Sequence, residues 1–249
     1  MLSMRKPVVS STAEDYLKAV LKLEDMKEKA STSKVARRLD VSDGTVTDML
    51  RKLQSAGLLE YTPYYGASLT PGGRAVALRI LRRHRLIELF LHQIMGYGWE
   101  QVHEEAERLE HAVSDFFVER IDALMNHPAK DPHGEVIPDA QGFREPEDDL
   151  CLASLVPGVY RIRKVTSSNR ELLAYLEKES LLPGRSFNLV DRAPFDGPLK
   201  LLLTKTGTLC HIGLEVARHI FVSPIKKRSD ASEATLSHTT QFSKGKVKS

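Results

Sequence analysis

The first half of the chain carries apolar residues at intervals of three and four, the spacing that gives a helix one buried face. The first such run predicts an amphipathic helix over residues 11–29, capped by Ser11 or Thr12. Its apolar stripe consists of Tyr16, Ala19, Val20 and Leu23. Asp15 lies beside this stripe near the helix start, where the ordinary role of a carboxylate is to stabilise the helix N-terminus.

Residues 31–57 predict two helices separated by a tight turn. The first follows Ser33, and the second begins at Ser42 or Asp43 and ends before Gly57, a residue type that suits the left-handed position after a helix. A short helix followed by a capped helix with small polar residues in its first turn is typical of a helix-turn-helix. The same pattern also occurs in purely structural helical hairpins.

The second of these helices has an exposed face that suits DNA, because small residues allow close approach and cations reach phosphates. This face consists of Ser42, Gly44, Thr45, Thr47, Asp48, Arg51 and Lys52. Residues 58–69 predict a short hairpin around Tyr65-Gly66, which would be the wing of a winged helix. A further helix is predicted from Pro71 to about residue 95, and its arginines either contact the DNA backbone or keep the surface soluble.

Between residues 84 and 125, two apolar-periodic runs flank a Gly-Tyr-Gly break, so we predict two helices joined by a turn. Histidines and glutamates recur on them mostly at intervals of three and four, which places these side chains on shared faces. They are His84, Glu88, His103, Glu107, Glu110 and His111. One such pair is ordinary chemistry of a solvated helix face, but the cluster offers nitrogen and carboxylate donors that suit a divalent transition-metal ion.

The net charge of +3 conceals an uneven distribution. Residues 31–90 hold ten Lys and Arg against five Asp and Glu, whereas residues 91–148 hold four against fourteen. The basic part suits a polyanion and the acidic part suits cations. No apolar run approaches the roughly 18 residues of a membrane span, and the N-terminus lacks a signal-peptide core. We therefore expect a cytoplasmic protein with no membrane association, in which Cys151 and Cys210 stay reduced.

The rest of the chain changes character. Residues 127–148 are rich in Pro, Gly and acidic residues and predict a linker. We expect its His127 and His133 to be solvated in preference to binding a metal ion. Residues 149–225 contain short alternating strands with one helix between the first strands, and they predict a small five-stranded barrel. Residues 226–249 have no apolar period, so we expect a disordered basic tail.

Three stretches together resemble the diphtheria toxin repressor family of metal-dependent transcriptional regulators. They are AEDYLKAVLKLE, VSDGTVTDMLRKLQSAGLL, and HRLIE followed by VHEEAERLEH. The resemblance covers residues 10 to about 225 and implies a mainly α protein with a small β domain. Its implied domains are a winged helix-turn-helix over residues 1–72, a helical metal-binding and dimerisation domain over 73–126, and an SH3-like domain over 149–225.

The resemblance also implies two metal sites. The primary site maps onto Asp15, Glu107, Glu110 and His111, and the ancillary site maps onto His84, Glu88 and His103. Glu171 aligns loosely with a further ancillary ligand, although a surface glutamate is the ordinary alternative. The iron-sensing branch has Met and Cys where this chain has Asp15 and Glu107, so we expect Mn²⁺ in preference to Fe²⁺. Lys18 replaces a carboxylate of the compact manganese regulators, which favours one primary ion over a two-metal cluster.

We therefore expect a homodimeric, metal-activated repressor of operator DNA that controls metal homeostasis, with no small-molecule substrate and no enzymatic activity. A dication joining Asp15 to the helical core would set the separation of the paired recognition helices. The expected dimer contacts are Phe90, Ile94, Phe116 and Phe117. The iron-sensing branch has Pro and Gln where this chain has Gly44 and Asp48, so the operator sequence should differ.

Two alternatives remain open. One is a winged-helix regulator that senses a non-metal ligand, with the glutamates and histidines merely solvated. The other is a metallohydrolase, for which the sequence offers no HExxH motif, phosphate loop or nucleophile elbow.

Overall fold

The computed structural model describes residues 10–144 and 147–225, so the expected tail over 226–249 lies outside the described residues. The N-terminal domain contains α1 (Ser11–Asp25), α2 (Thr32–Leu39), α3 (Asp43–Ser55), β1 (Leu59–Thr62) and β2 (Gly66–Leu69). Ser10, Ser31 and Ser42 cap the three helices by accepting hydrogen bonds from backbone amides. The predicted cap of α1 is therefore wrong by one residue and that of α2 by two. The predicted extent of α1 to residue 29 is also wrong, because Lys27 turns the chain with φ of 56°.

The predicted wing is present as an antiparallel pair of β1 and β2, but its turn lies at residues 63–65. Ala67 of β2 also donates its amide proton to the Ala30 carbonyl at 2.9 Å, which ties the hairpin to the loop before α2. Gly66 makes this approach possible, because a Cβ there would come within 2.7 Å of the Ala30 oxygen. The hairpin is thus fastened to its own domain.

The helical region contains α4 (Pro71–Gln93), α5 (Val102–Leu109) and α6 (Asp115–Leu124). Thr70 caps α4, with proline in its first turn, as the sequence predicts. The prediction of a single second helix is wrong, because Glu110 ends α5 and Ser114 caps α6 by accepting from the Phe117 amide at 3.2 Å. Glu110 and His111 therefore lie in a turn, so the directions of their side chains are not set by the face of a helix.

The described residues of the predicted linker form no helix or strand, yet they pack closely against α4 and the segment that follows it. Arg82 donates to the Pro138 carbonyl at 2.7 Å, and the Trp99 indole donates to the Pro132 carbonyl at 2.9 Å. His127 has an exposed side chain, as expected. The expectation that His133 is solvated is wrong, because this residue is 5% exposed and its ring lies 4.9 Å from that of Trp99.

The C-terminal domain is a six-stranded antiparallel sheet with the order β3-β8-β4-β5-β6-β7. Its elements are β3 (Leu150–Cys151), β4 (Gly158–Val165), α7 (Arg170–Lys178), β5 (Ser186–Arg192), β6 (Leu199–Leu203), β7 (Leu209–Ile212), α8 (Leu214–Ala217) and β8 (Ile220–Pro224). The two-residue β3 adds to the five expected strands, and α7 lies between β4 and β5 as predicted. The small SH3-like domain is thereby confirmed.

Three apolar cores result, and α4 contributes to two of them. Its first half, to Leu81, packs with α1, α2, α3 and the wing. Its second half, from Leu86, packs with α5, α6 and Ile137 of the linker. The third core belongs to the C-terminal sheet and includes Trp99. Within the described parts of the chain, no helix is long and apolar enough to cross a membrane.

Candidate metal centre

Buried and half-buried ionisable side chains lie between α1, α4, α5 and the linker, and within the described residues they form three clusters. In each cluster, one ligand atom per residue lies within 4.8 Å of the others. The clusters are Asp15 with Glu110 and His111, His84 with Glu88 and His103, and Glu88 with Asp131 and His133. Atoms that share an octahedral ion lie about 3 Å apart, since each bond is about 2.1 Å long. The donor types and their spacing therefore fit a divalent ion.

The first cluster joins the N-terminal domain to the helical region. His111 Nε2 lies 2.9 Å from Asp15 Oδ1 and 3.4 Å from Glu110 Oε1. Asp15 belongs to α1, whereas Glu110 and His111 follow α5. A ligand held by all three would connect two separate apolar cores.

Glu14 orients the imidazole of this first cluster. It accepts a hydrogen bond from His111 Nδ1 at 3.0 Å, so that Nε2 faces Asp15. A carboxylate on the far nitrogen of a metal-binding imidazole sets its orientation and its basicity. This role was not predicted from the sequence, although Glu14 directly precedes Asp15.

Lys18 brings a buried cation to the same place. The residue is 6% exposed, its Nζ contacts Glu110, and its distance to Glu107 Oε1 is 3.8 Å. Glu107 itself is half exposed and lies 3.6 Å from His103 Nε2, between the first two clusters. The ammonium group thus balances the charge of the buried Glu110 carboxylate.

The second cluster consists of the three residues expected at the ancillary site. Glu88 Oε1 lies 2.9 Å from His84 Nε2 and 3.0 Å from His103 Nδ1. His84 Nδ1 is 2.6 Å from Glu110 Oε2, so this ring connects the second cluster to the first. Burial alone would lower the pKa of His84, but the Glu88 and Glu110 carboxylates outweigh it and raise that pKa above its ordinary value.

The third cluster was not predicted, because solvated histidines in the linker were favoured over histidines that bind a metal ion. His133 Nδ1 lies 4.0 Å from Glu88 Oε2, and Arg85 Nε lies 3.5 Å from Asp131 Oδ2. Burial, reinforced by the Glu88 charge, raises the pKa of Asp131 well above its ordinary value despite Arg85. Burial also lowers the pKa of His133, which favours the neutral imidazole that a metal ion requires. The Asp-Pro-His sequence was the available signal.

The candidate DNA-reading face lies on α3. Ser42 Oγ accepts from the Thr45 amide at 3.2 Å and lies 2.8 Å from Thr45 Oγ1. Thr47 donates to the Asp43 carbonyl at 2.9 Å. The other residues of the face, Gly44, Asp48, Arg51 and Lys52, are exposed. The N-terminal turn of α3 is therefore open to a ligand that approaches along the helix axis.

Three family models match the chain in consecutive segments. Residues 9–67 match the N-terminal DNA-binding domain of iron-dependent repressors, and residues 70–139 match their metal-binding and dimerisation domain. Residues 151–224 match the FeoA domain. A manganese-dependent transcriptional repressor, solved in complex with manganese, superposes with a TM-score of 0.81 at 33% identity and covers 86% of this chain and 100% of its own. The chain belongs to the diphtheria toxin repressor family.

Two further relatives support this membership. The manganese regulator SloR superposes with a TM-score of 0.71 at 35% identity, over 86% of this chain and 98% of its own. The iron-dependent repressor IdeR of Mycobacterium tuberculosis is 36% identical over 127 residues, which is 51% of this chain and 55% of IdeR. The chain thus matches about half the length of this relative. These comparisons give no support to the metallohydrolase alternative.

Two further predictions concern a ligand from the C-terminal domain at the ancillary site and the residues of the dimer interface. Glu171 is exposed on α7 and belongs to none of the clusters formed by the described residues. The expected dimer residues Ile94, Phe116 and Phe117 are exposed in the single chain, whereas Phe90 is partly buried and packs edge-on against Phe117 at 6.3 Å. An apolar surface of this kind, within the matched dimerisation domain, is available to a second copy.

Proposed function

We propose that this chain is a cytoplasmic, homodimeric repressor that binds operator DNA when it holds a divalent metal ion, and that it controls metal homeostasis. The contact of His111 with Asp15 carries the proposal, because it connects α1 of the DNA-binding domain to the turn after α5. Family membership supports the same conclusion.

In this proposal, the primary site is held by Asp15, Glu107, Glu110 and His111, and the ancillary site by His84, Glu88 and His103. Asp131 and His133 extend the ancillary site from the linker side. A bound dication supplies positive charge that balances these carboxylates. The residues then hold α1 against the helical core. The position of α3 is fixed with that of α1, because both helices pack in the first apolar core. Two recognition helices held at a constant separation can occupy two half-sites of one operator.

The donor set supports Mn²⁺ as the preferred ion and Fe²⁺ as the alternative. Every proposed ligand offers carboxylate oxygen or imidazole nitrogen, and no thiolate or thioether that would favour a softer ion is included. The Lys18 ammonium beside Glu110 supports a single ion at the primary site. It occupies the space of a second cation and already balances the carboxylate charge that such a cation would need.

The proposed DNA contacts come from the exposed face of α3. Ser42, Gly44, Thr45 and Asp48 would face base edges, Thr47 would support this turn, and Arg51 and Lys52 would contact phosphates.

The test uses a 40-base-pair duplex enriched from a random pool by binding to the Mn²⁺-loaded full-length protein. Fluorescence anisotropy should show tight binding with Mn²⁺ and a loss of about 100-fold with chelator, which lies near the upper end of typical coupling energies of about 1–3 kcal/mol. Asp15→Ala should bind weakly under both conditions while it remains folded and dimeric. Equal affinity for DNA with and without metal would instead favour a transcriptional regulator that senses a non-metal ligand.

A further inference from the structure

Residues 138–144 of the linker, which we call the strap, run along the first half of α4. At one end, Arg82 of α4 donates to the Pro138 carbonyl at 2.7 Å. Further along, a Cβ added to Gly142 would lie 3.7 Å from the Leu78 Cβ, which is ordinary van der Waals contact. The strap therefore leads from the boundary between the two apolar cores of α4 toward the DNA-binding domain.

Arg144, at the end of the strap, forms an ion pair with the DNA-binding domain. Its guanidinium donates to Asp25 Oδ1 at 2.6 Å, and the side chains of Arg144 and Asp25 are 22% and 31% exposed. Asp25 is the last residue of α1. Because a helix rises about 1.5 Å per residue, the ion pair lies about 15 Å along α1 from Asp15. The helix is thus contacted near both ends, by His111 at Asp15 and by the strap at Asp25.

The strap is ordered by its own hydrogen bonds. Asp139 Oδ1 accepts from the amides of Gln141 and Phe143 at 2.9 and 2.8 Å. The Asp139 amide donates to the Phe143 carbonyl, and its carbonyl accepts from the Gly142 amide. An exposed ion pair contributes little when two long side chains must lose their freedom to form it. Here the backbone directly before Arg144 is already held in a closed turn, which reduces that loss.

The other end of the linker is anchored outside the DNA-binding domain. Arg85, in the second half of α4, donates to the Val136 carbonyl. On the opposite side, the Val165 amide of β4 donates to the His133 carbonyl at 2.9 Å. The strap therefore connects α1 to the helical region and to the C-terminal sheet by a route separate from Asp15.

We propose that Arg144 and Asp25 are positioning residues for operator binding, which hold the DNA-binding domain in the orientation that the bound metal ion also selects. The inference rests on the proposed function. When only a fraction of the molecules present the recognition helices at the correct separation, the apparent affinity for DNA is reduced by that fraction. The strap limits rotation of the DNA-binding domain about the metal centre, so it raises the fraction in the competent orientation.

The experiment measures the affinity of the Mn²⁺-loaded full-length protein for the selected 40-base-pair duplex by fluorescence anisotropy. Asp25→Asn should weaken binding about threefold, the scale of one exposed ion pair. Glu28→Gln is the matched control, because it also removes one negative charge from the DNA-binding domain. Glu28 pairs with Lys34 of the same domain at 2.8 Å, so this variant leaves the strap in place and should not weaken binding.

A double-mutant cycle tests whether the two residues act together. Arg144→Gln should weaken binding as much as Asp25→Asn, and the double variant should lose no more than either single variant. Arg144→Lys keeps a cation opposite Asp25 and should recover most of the affinity. Amide hydrogen exchange in residues 139–143 should become faster in Asp25→Asn, while the dimer mass stays unchanged. Additive losses, or an equal loss in Glu28→Gln, would overturn the inference.

Metal removal separates failure of this inference from failure of the proposed function. If chelator weakens binding of the wild type while Asp25→Asn and Arg144→Gln bind as tightly as the wild type in Mn²⁺, the strap inference is refuted and the proposed function stands. If chelator leaves the wild-type affinity unchanged, the proposed function itself is refuted, whatever the variants of the strap do.

Discussion

At the scale of single residues, the centre is organised by charges that balance one another in a largely buried environment. Lys18 is the clearest case, since a buried ammonium group is costly without a partner, and Glu110 provides that partner. In the metal-free protein this lysine supplies part of the positive charge that the carboxylates need. A dication bound at the primary site would be repelled by the Lys18 ammonium beside it.

We expect Lys18→Met to lower the free energy of unfolding of the metal-free protein by about 3 kcal/mol, the lower end for breaking a buried ion pair, because His84 still contacts Glu110. Mn²⁺ should reduce this deficit, since the site has become more negative. Urea unfolding with chelator and with Mn²⁺ measures both effects. Lys34→Met is the control, because its pair with Glu28 is solvent-exposed and should matter much less.

Glu14 provides the second prediction at this scale. Glu14→Gln should weaken Mn²⁺ binding about tenfold or more, because the charged partner that orients His111 is lost. Titration calorimetry on the metal-free protein measures the change. Glu105→Gln alters a glutamate of α5 that pairs with Arg108 instead, and it should leave the affinity unchanged. Equal effects of the two variants would contradict a specific role for Glu14.

At the scale of elements, α4 and the linker act together. Arg85 donates to the Val136 carbonyl and also contacts Glu135, while Glu88 one turn later faces Asp131 and His133. The far side of the same loop lies against β4, where the Val165 amide donates to the His133 carbonyl at 2.9 Å. Residues of the third cluster are thus positioned by the helical region and by the C-terminal sheet at once.

Gly134 makes that close approach possible. It has φ of 83°, and a Cβ there would overlap the Arg163 carbonyl oxygen and come within 3.0 Å of the Lys164 Cα. We expect Gly134→Ala to lower the free energy of unfolding by about 2 kcal/mol more than a glycine substitution that only strains the backbone. This difference is the typical cost of placing an extra carbon in a closely packed site. Gly207→Ala is the matched control, with φ of 69° and no atom within 4 Å. Thermal unfolding and limited proteolysis of the linker measure the difference, and similar losses in both variants would contradict the packing argument.

At the scale of the whole molecule, the three clusters form one continuous network that spans separate cores. His84 connects the first cluster to the second, and Glu88 is shared by the second and the third. The same network includes Asp15, which belongs to the DNA-binding domain. Metal binding should therefore stabilise the contact between domains as well as each site.

Hydrogen exchange can detect this coupling. With Mn²⁺ at about 100 times its dissociation constant, the native state should gain about 2.7 kcal/mol. We expect amide exchange in α1 to slow in the wild type, whereas Asp15→Ala should lose this slowing in α1 and retain it around His84 and Glu88. Uniform slowing across the Asp15→Ala chain would contradict a metal connection through α1.

Much of this protein was determined by its sequence alone. The intervals of three and four in the apolar pattern, the serine caps and the glycines predicted the helix-turn-helix, the wing, α4 and the strands of the last domain, because these signals act between neighbouring residues. The spacing of histidines and glutamates, with the family resemblance, predicted the three residues of the second cluster and the three of the first, Asp15, Glu110 and His111. Glu107, also predicted at the primary site, lies outside both clusters.

Tertiary structure decided the rest, because the deciding contacts join residues far apart in the sequence. The break between α5 and α6 positions Glu110 and His111 in a turn, and only packing against α1 brings Glu14 and Lys18 to them. The burial of Asp131 and His133 depends on the docking of an apparently polar loop between α4 and β4. A local pattern indicates which residues can be buried, but the surface that buries them is formed by other elements of the fold.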